Sequence, residues 1–298
     1  MNYITLVFSF VLLFTTELAI CQENQLTPEQ EEYLNWARDL WGSLDRQQGE
    51  IKLPNGVATL QVPDDFYYLN PHDSEKVLVE VWENPAGAGS ETLGMLFPSE
   101  STPFDEEAWA VTIEYEEDGY VTDEDADEID YGELLSQMKE GAKEQSEVRV
   151  SQGYESMELI GWASTPFYDK ETHKLHWAKE LKFGNQAINT LNYNIRVLGR
   201  KGVLVLNFIA GMDQKELIDS KLDDVLSLAD FDQGSRYEDF DPSIDKIAAY
   251  GLGALVAGKV IAKTGMLAAA LVFLKKFGIL ILAGAGAIVG RLFKRSKA

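Results

Sequence analysis

Cysteine occurs once in 298 residues, at Cys21, so the rest of the chain can form neither a disulfide nor a thiolate metal site. Histidine is almost as scarce, with three in all. His173 and His176 are a closely spaced pair, and in a turn entering a strand that spacing points them to opposite faces. No Gly-x-Ser-x-Gly elbow and no phosphate-cradling glycine loop is present. The glycines at Gly251, Gly253, Gly284 and Gly286 neither follow a strand nor lead to an acidic partner, so a nucleotide fingerprint is excluded. Long apolar runs are missing as well. No stretch reaches the ~20 uncharged residues of a clean membrane span. Bases are few, 26 against 49 acids, and that imbalance excludes phosphate backbones as partners.

The acids are not spread evenly. None follows Asp245, whereas eight bases lie between Lys259 and Lys297. Residues 22–246 hold 18 bases and 48 acids, a net charge of −30. That surface favours cations and basic partners. At the N-terminus, residues 4–14 form an apolar core of signal-peptide length, and small residues Ala19 and Cys21 place a cleavage before Gln22. Leu18-Ala19-Ile20-Cys21 resembles a lipoprotein box, but Ile20 is too bulky for it. At the C-terminus, residues 247–298 alternate apolar stretches with Lys259, Lys263 and Lys275-Lys276 before a basic tail. Small residues such as Gly286 and Gly290 suit close helix packing in lipid, and lysines at an interface can snorkel. The basic tail places the C-terminus in the cytoplasm and the acidic domain outside. The expected organisation is a signal peptide over 1–21, an acidic extracytoplasmic domain over 22–246, and a membrane-anchoring helical segment over 247–298.

Within the domain, Thr27-Pro28-Glu29-Gln30 predicts a helix start carrying Tyr33, Leu34, Trp36, Leu40 and Trp41. Pro54-Asn55-Gly56 predicts a turn between two strands. Asp73 or Ser74 is expected to cap a helix through Trp82, and Asp213 another through Leu226. Strands are predicted at 93–97, 108–115, 157–162, 174–183, 190–198 and 202–209, with a helix over 134–145. Helices and antiparallel hairpins in blocks predict an α+β fold rich in antiparallel strands, with flanking helices and a C-terminal transmembrane segment. Several ordered blocks then carry a family likeness: Leu93-Gly-Met-Leu-Phe-Pro98, Tyr115-Glu-Glu-Asp-Gly-Tyr120, Asp123-Glu-Asp-Ala126, Thr190-Leu-Asn-Tyr-Asn-Ile-Arg-Val-Leu-Gly-Arg200, and Ala249-Tyr-Gly with Ala257-Gly-Lys259. From about residue 30 to 265 the chain resembles the bacterial membrane-anchored proteins grouped as domain of unknown function 2167. The resemblance implies an envelope protein and no assigned chemistry.

Two constellations are candidate sites. Ten carboxylates crowd residues 114–130; Asp123, Asp125 and Asp127 match the opening of a calcium loop, while Glu128 and Leu134 break the remainder of the pattern. Thr122 with Asp125 also reads as an acidic helix start. Asn192, Asn194 and Arg196 line the polar side of a strand whose other side is Leu191, Tyr193, Ile195 and Val197, and could hold an anionic ligand or a carboxylate of the acidic run. No cofactor is expected, apart from weak binding of a divalent cation such as calcium. The reading is a non-catalytic binding or assembly module of the bacterial envelope, facing the periplasm. Its expected partners are the membrane and a basic envelope protein or other membrane subunit. The alternatives are a divalent-metal-dependent hydrolase and an accessory subunit acting through its glycine-rich tail.

Overall fold

A computed structural model describes residues 27–258 other than Glu83, Pro85, Ala86, Ala88 and Glu106. The expected signal peptide with Cys21, and the expected anchor from Lys259 onward, lie outside the described residues. Among the described residues no helix is long and apolar enough to cross a membrane. The chain divides into two compact units, one ending at Ser43 and one beginning at Leu44.

The first unit holds α1 (Pro28–Ser43). Its start is a reciprocal capping box, as the sequence predicts. The Gln30 N–H donates to Thr27 Oγ1 at 3.2 Å, and the Thr27 N–H donates to Gln30 Oε1 at 2.9 Å.

The second unit is built on an eight-stranded sheet and a three-stranded one, all strands pairing antiparallel. In chain order the strands are β1 (Arg46–Gln47), β2 (Gly49–Lys52), β3 (Ala58–Val62), β4 (Phe66–Leu69), β5 (Thr92–Pro98), β6 (Ala110–Glu116), β7 (Met157–Asp169), β8 (Lys174–Phe183), β9 (Thr190–Leu198), β10 (Val203–Gly211) and β11 (Ala229–Phe231). The large sheet runs β1-β4-β5-β6-β10-β9-β8-β7 and the small one β11-β3-β2. The α+β architecture rich in antiparallel strands therefore holds. The β2–β3 turn sits where Pro54-Asn55-Gly56 predicts it, with Gly56 at φ +71°.

Period-two alternation gives the large sheet two different faces. Leu96, Val111, Ile113, Leu206, Phe208, Tyr193 and Ile195 form one face. It is buried beneath α4 (Lys215–Leu228), through Ile218, Val225 and Leu228, together with the small sheet. The opposite face is covered in two patches. α2 (Pro71–Lys76) and the π-helical turn Val77–Val81 bring Trp82 against Phe97, with ring centroids 5.8 Å apart. α3 (Tyr131–Ser151) and α5 (Leu252–Ala257) pack Met138, Ala142, Leu252, Leu255 and Val256 onto Leu175, Trp177, Val203 and Val205.

Several helix starts differ from the sequence reading, at α2 and α3 because another side chain satisfies the first free N–H groups. Asn70, ahead of Pro71, caps α2 by accepting from the Asp73 N–H at 3.0 Å. Asp130 caps α3 by accepting from the Gly132 and Glu133 N–H groups. α4 is the exception: it starts without a side-chain cap, follows the 3₁₀ turn Met212–Gln214, and it is that turn that Gln214 closes by accepting from the Gly211 N–H. The boundary expected at 246/247 also falls inside a packed unit. The Tyr120 N–H donates to Lys246 O, the Ala248 N–H donates to Tyr120 O, and α5 lies in the core. An apolar helix of six residues buries against protein as readily as against lipid, and sequence hydropathy does not separate the two.

Candidate functional site

Between the two helical patches runs a polar strip of the sheet over β6, β10 and β9, with Thr112 and Asn194 buried and Asn192, Arg196 and Asn207 half-buried. Pairing register reads off its floor. Met95 pairs with Thr112, Thr112 with Asn207, Asn207 with Asn194, and Asn194 with Trp177. One step along, Ile209 pairs with Asn192 and Asn192 with Lys179; one step the other way, Glu114 pairs with Val205 and Val205 with Arg196. Successive positions two apart share a face, so the three residues singled out in the sequence, Asn192, Asn194 and Arg196, stand together here.

Their contacts form a network. Arg196 donates through Nη1 to Asn207 Oδ1 at 3.0 Å and to its neighbour's carbonyl, Ile195 O, at 2.9 Å. Its Nη2 reaches Asn194 Oδ1 only at 3.5 Å. Asn194 donates to Asn192 Oδ1 at 3.0 Å. The guanidinium lies over the Trp177 ring, 5.1 Å from the centroid. Burial lowers the Arg196 pKa to about 10, against opposing pulls from Glu116 and Glu114, so it stays charged at neutral pH. Burial, with a smaller push from Arg196, lowers Lys179 to about 8. Glu114 is shifted up, first by burial, despite the nearby Arg196. The Trp177 indole N–H is buried with no acceptor among the described residues. An orphaned donor of this kind costs about 1–3 kcal/mol. Sequence reading misses Lys179 and Asn207, because Lys179 sits among charges on both sides of β8 and only the register brings it beside Asn192.

At the β9 start a cavity of about 830 Å³ adjoins the strip at Ile209, lined besides by Trp82, Ile188, Thr190, Glu107 and Asp213 among others. Ile209 is 39% exposed there.

The acidic run is arranged differently from a cation loop. Asp123 accepts from Tyr168 OH at 2.9 Å; Asp125 accepts from the Leu252 and Gly253 N–H groups at 3.1 and 3.3 Å; Asp127 pairs with Lys170 at 2.6 Å. The three side chains thus meet three separate partners. Among the described residues no group of three or more His, Cys, Asp or Glu side chains is placed to hold a metal. Asp125 is a cap after all, but for α5 rather than for a helix beginning at Thr122. Asp118 accepts from Tyr250 OH at 2.7 Å, so a second carboxylate holds the same C-terminal strand of chain.

The two close histidines part company as expected. His173 occupies the β7–β8 turn at φ +53°, with Nδ1 3.1 Å from Tyr168 OH. Because Tyr168 gives its proton to Asp123, this contact makes His173 Nδ1 the donor. His176 lies on the apolar face, its Nδ1 3.1 Å from Tyr193 OH.

A family model described as protein of unknown function (DUF2167) matches residues 45–286. The chain belongs to that family. The match spans both sheets, the polar strip, α5 and 29 residues beyond it. Among curated proteins none matches the DUF2167 chain. Solved structures with some likeness include the solution structure of cyanobacterial PsbP (CyanoP) from Synechocystis sp. PCC 6803, at 13% identity and TM-score 0.34, covering 64% of this chain and 93% of that one. The Saccharomyces cerevisiae Ran-binding protein Mog1p is 14% identical at TM-score 0.27, covering 61% and 84%.

Proposed function

We propose that this DUF2167 protein is a membrane-tethered, extracytoplasmic binding or assembly module of the bacterial envelope, without catalysis of its own. The signal-like N-terminus, the acid-free apolar C-terminus and its basic tail support the tether and the topology. The observation that carries the binding reading is the polar strip between the helical patches. Arg196, Asn192, Asn194 and Asn207 sit on a rigid sheet floor, where an apolar packing surface would have been more stabilising. The net charge of −30 over residues 22–246 favours a basic protein or a membrane subunit as the neighbour in assembly.

The test is site-directed photo-cross-linking of the full chain in intact cells. A photoreactive residue replacing Ile209 should give an adduct. The same residue at Val148 on α3 or Leu217 on α4, 54% and 47% exposed, should not. No adduct at Ile209, or equal adducts at all three positions, would overturn the reading.

A further inference from the structure

Resting on the binding reading above, the chemistry of the strip narrows the class of ligand. Donors outnumber acceptors on it. Lys179 has no hydrogen-bond or ion-pair partner among the described residues, although it is half-buried. Arg196 spends Nη1 on Asn207 and Ile195 and reaches Asn194 weakly through Nη2, which leaves its Nε–Nη2 edge. That edge presents two parallel N–H groups, the geometry that takes a carboxylate two-fold. The buried Trp177 indole adds one more N–H without an acceptor beneath the guanidinium. A second cation without a partner and an Arg edge left open are costly unless an acceptor arrives.

Charge and shape limit that acceptor. Glu114 and Glu116 both act on Arg196, and Glu107 and Asp213 line the adjoining cavity. Any anion there meets the same two cations and the same four carboxylates in a domain carrying −30, and because the net repulsion scales with the ligand's charge, a monoanion is opposed half as strongly as a dianion. Ile209, which lines the cavity, pairs with Asn192, which pairs with Lys179. The apolar part of the cavity, from Trp82, Ile188 and Ile209, thus begins where the donors end.

We propose that the strip binds a small ligand bearing a single carboxylate and an apolar portion. The carboxylate lies between Lys179, Asn192 and Arg196, and the apolar portion lies against Ile209, Ile188 and Trp82. Amphipathic ligands of this kind fit a concave site with few convergent polar groups.

The full chain, purified in detergent, is titrated with hexanoate, hexanamide and inorganic phosphate by calorimetry and by tryptophan fluorescence. Hexanoate should bind, hexanamide about tenfold more weakly, which is ~1.4 kcal/mol, and phosphate not at all. Lys179→Met should weaken hexanoate about tenfold and leave hexanamide unchanged. Ile209→Asp, at a position 39% exposed, should weaken both compounds. Equal binding of amide and acid, binding of phosphate as tight as hexanoate, or no effect of Lys179→Met would overturn the inference. If Lys179→Met fails to fold, an unchanged hexanoate affinity in Ile209→Asp overturns it instead. A cross-link at Ile209 without hexanoate binding refutes this ligand class alone. Loss of both refutes the binding reading with it.

Discussion

The two faces of the large sheet are made by the same strands and differ in almost every physical respect. On one, Val111, Leu206, Phe208, Tyr193 and Ile195 meet α4 and the small sheet in a continuous apolar core. On the other, one residue away along each strand, Thr112, Asn207, Asn194, Arg196 and Glu114 interrupt the packing between two helical patches. The first face has the composition that stability favours. The second gives up apolar burial, on the order of 25 cal/mol per Å², and holds a charge in the sheet's middle. A fold that needed only to be stable would have covered both faces alike. The contrast is what the proposed binding role requires of the second face.

Phe208→Ala breaks the apolar side and has the largest expected effect. Phe208 is fully buried, packed on Trp109 with centroids 5.8 Å apart and edge-on to Tyr193. Truncation should cost about 3–5 kcal/mol, read by denaturant unfolding of the full chain. The reverse experiment sharpens the polar side. Replacing Arg196, Asn194 and Asn207 together by Met, Leu and Leu removes the whole network rather than half of it. Stability should be unchanged or rise by up to about 2 kcal/mol, because a buried polar network is matched or exceeded by apolar packing of similar volume. A loss as large as that of Phe208→Ala would make the strip a structural element and remove the argument from the contrast.

Asp125→Ala asks whether the C-terminal helix belongs to the polar face's covering. It removes the acceptor for the Leu252 and Gly253 N–H groups at the start of α5. The expected cost is about 1 kcal/mol, with increased hydrogen exchange confined to α5 and the Tyr120–Ile247 bridge. Calcium at matched ionic strength should add no stability to the unmodified protein, since Asp123, Asp125 and Asp127 are turned to separate partners. A calcium-dependent rise in melting temperature lost on Asp125→Asn would contradict this arrangement.

How far these features were legible in the sequence follows from what sets each one. β8 and β9 match the sequence reading from end to end, because clear period-two patterns lie between turn residues. Asn192, Asn194 and Arg196 were visible for the same reason, since alternation alone puts them on one side. β4 was not, because Phe66, Tyr67, Tyr68 and Leu69 are buried on both faces and carry no alternation. Lys179 and Asn207 required the pairing register, a long-range property. Asp125 was legible as a cap but not as the cap of a helix 127 residues away, since local patterns report only local partners. The apolar start of the expected anchor was ambiguous in principle. A short buried helix and the edge of a membrane segment share one composition.

The smallest predicted effect tests the polar face through its unpartnered cation. Burial first, then Arg196, lowers the Lys179 pKa to about 8 from 10.5. Below pH 8 the ammonium is present in both folded and unfolded chains, and the folded state carries its full desolvation cost. As pH rises from 8 toward 10.5 the folded chain releases this proton before the unfolded one does. The unfolded state then binds more protons, so Lys179 makes stability increase with pH over that window. Tyr68 and Tyr115 act in the opposite sense. Burial lifts both to about 12, so they stabilise the fold below pH 10 and lose that contribution above it. The clean window is therefore pH 8 to 9.5. Across it the unmodified chain should gain slightly in melting temperature relative to Lys179→Met, because Met has no proton to release. Arg196 faces the same strip and, lowered to about 10, begins to release its own proton at the top of this window, so the comparison between the two proteins is read from its lower half. Hexanoate turns the trend around, since the bound carboxylate needs the ammonium: its affinity should fall as pH rises through 8 in the unmodified chain and stay flat in Lys179→Met. A parallel pH profile in the two proteins, with and without hexanoate, would show that Lys179 does not titrate on this face and plays no part in binding there.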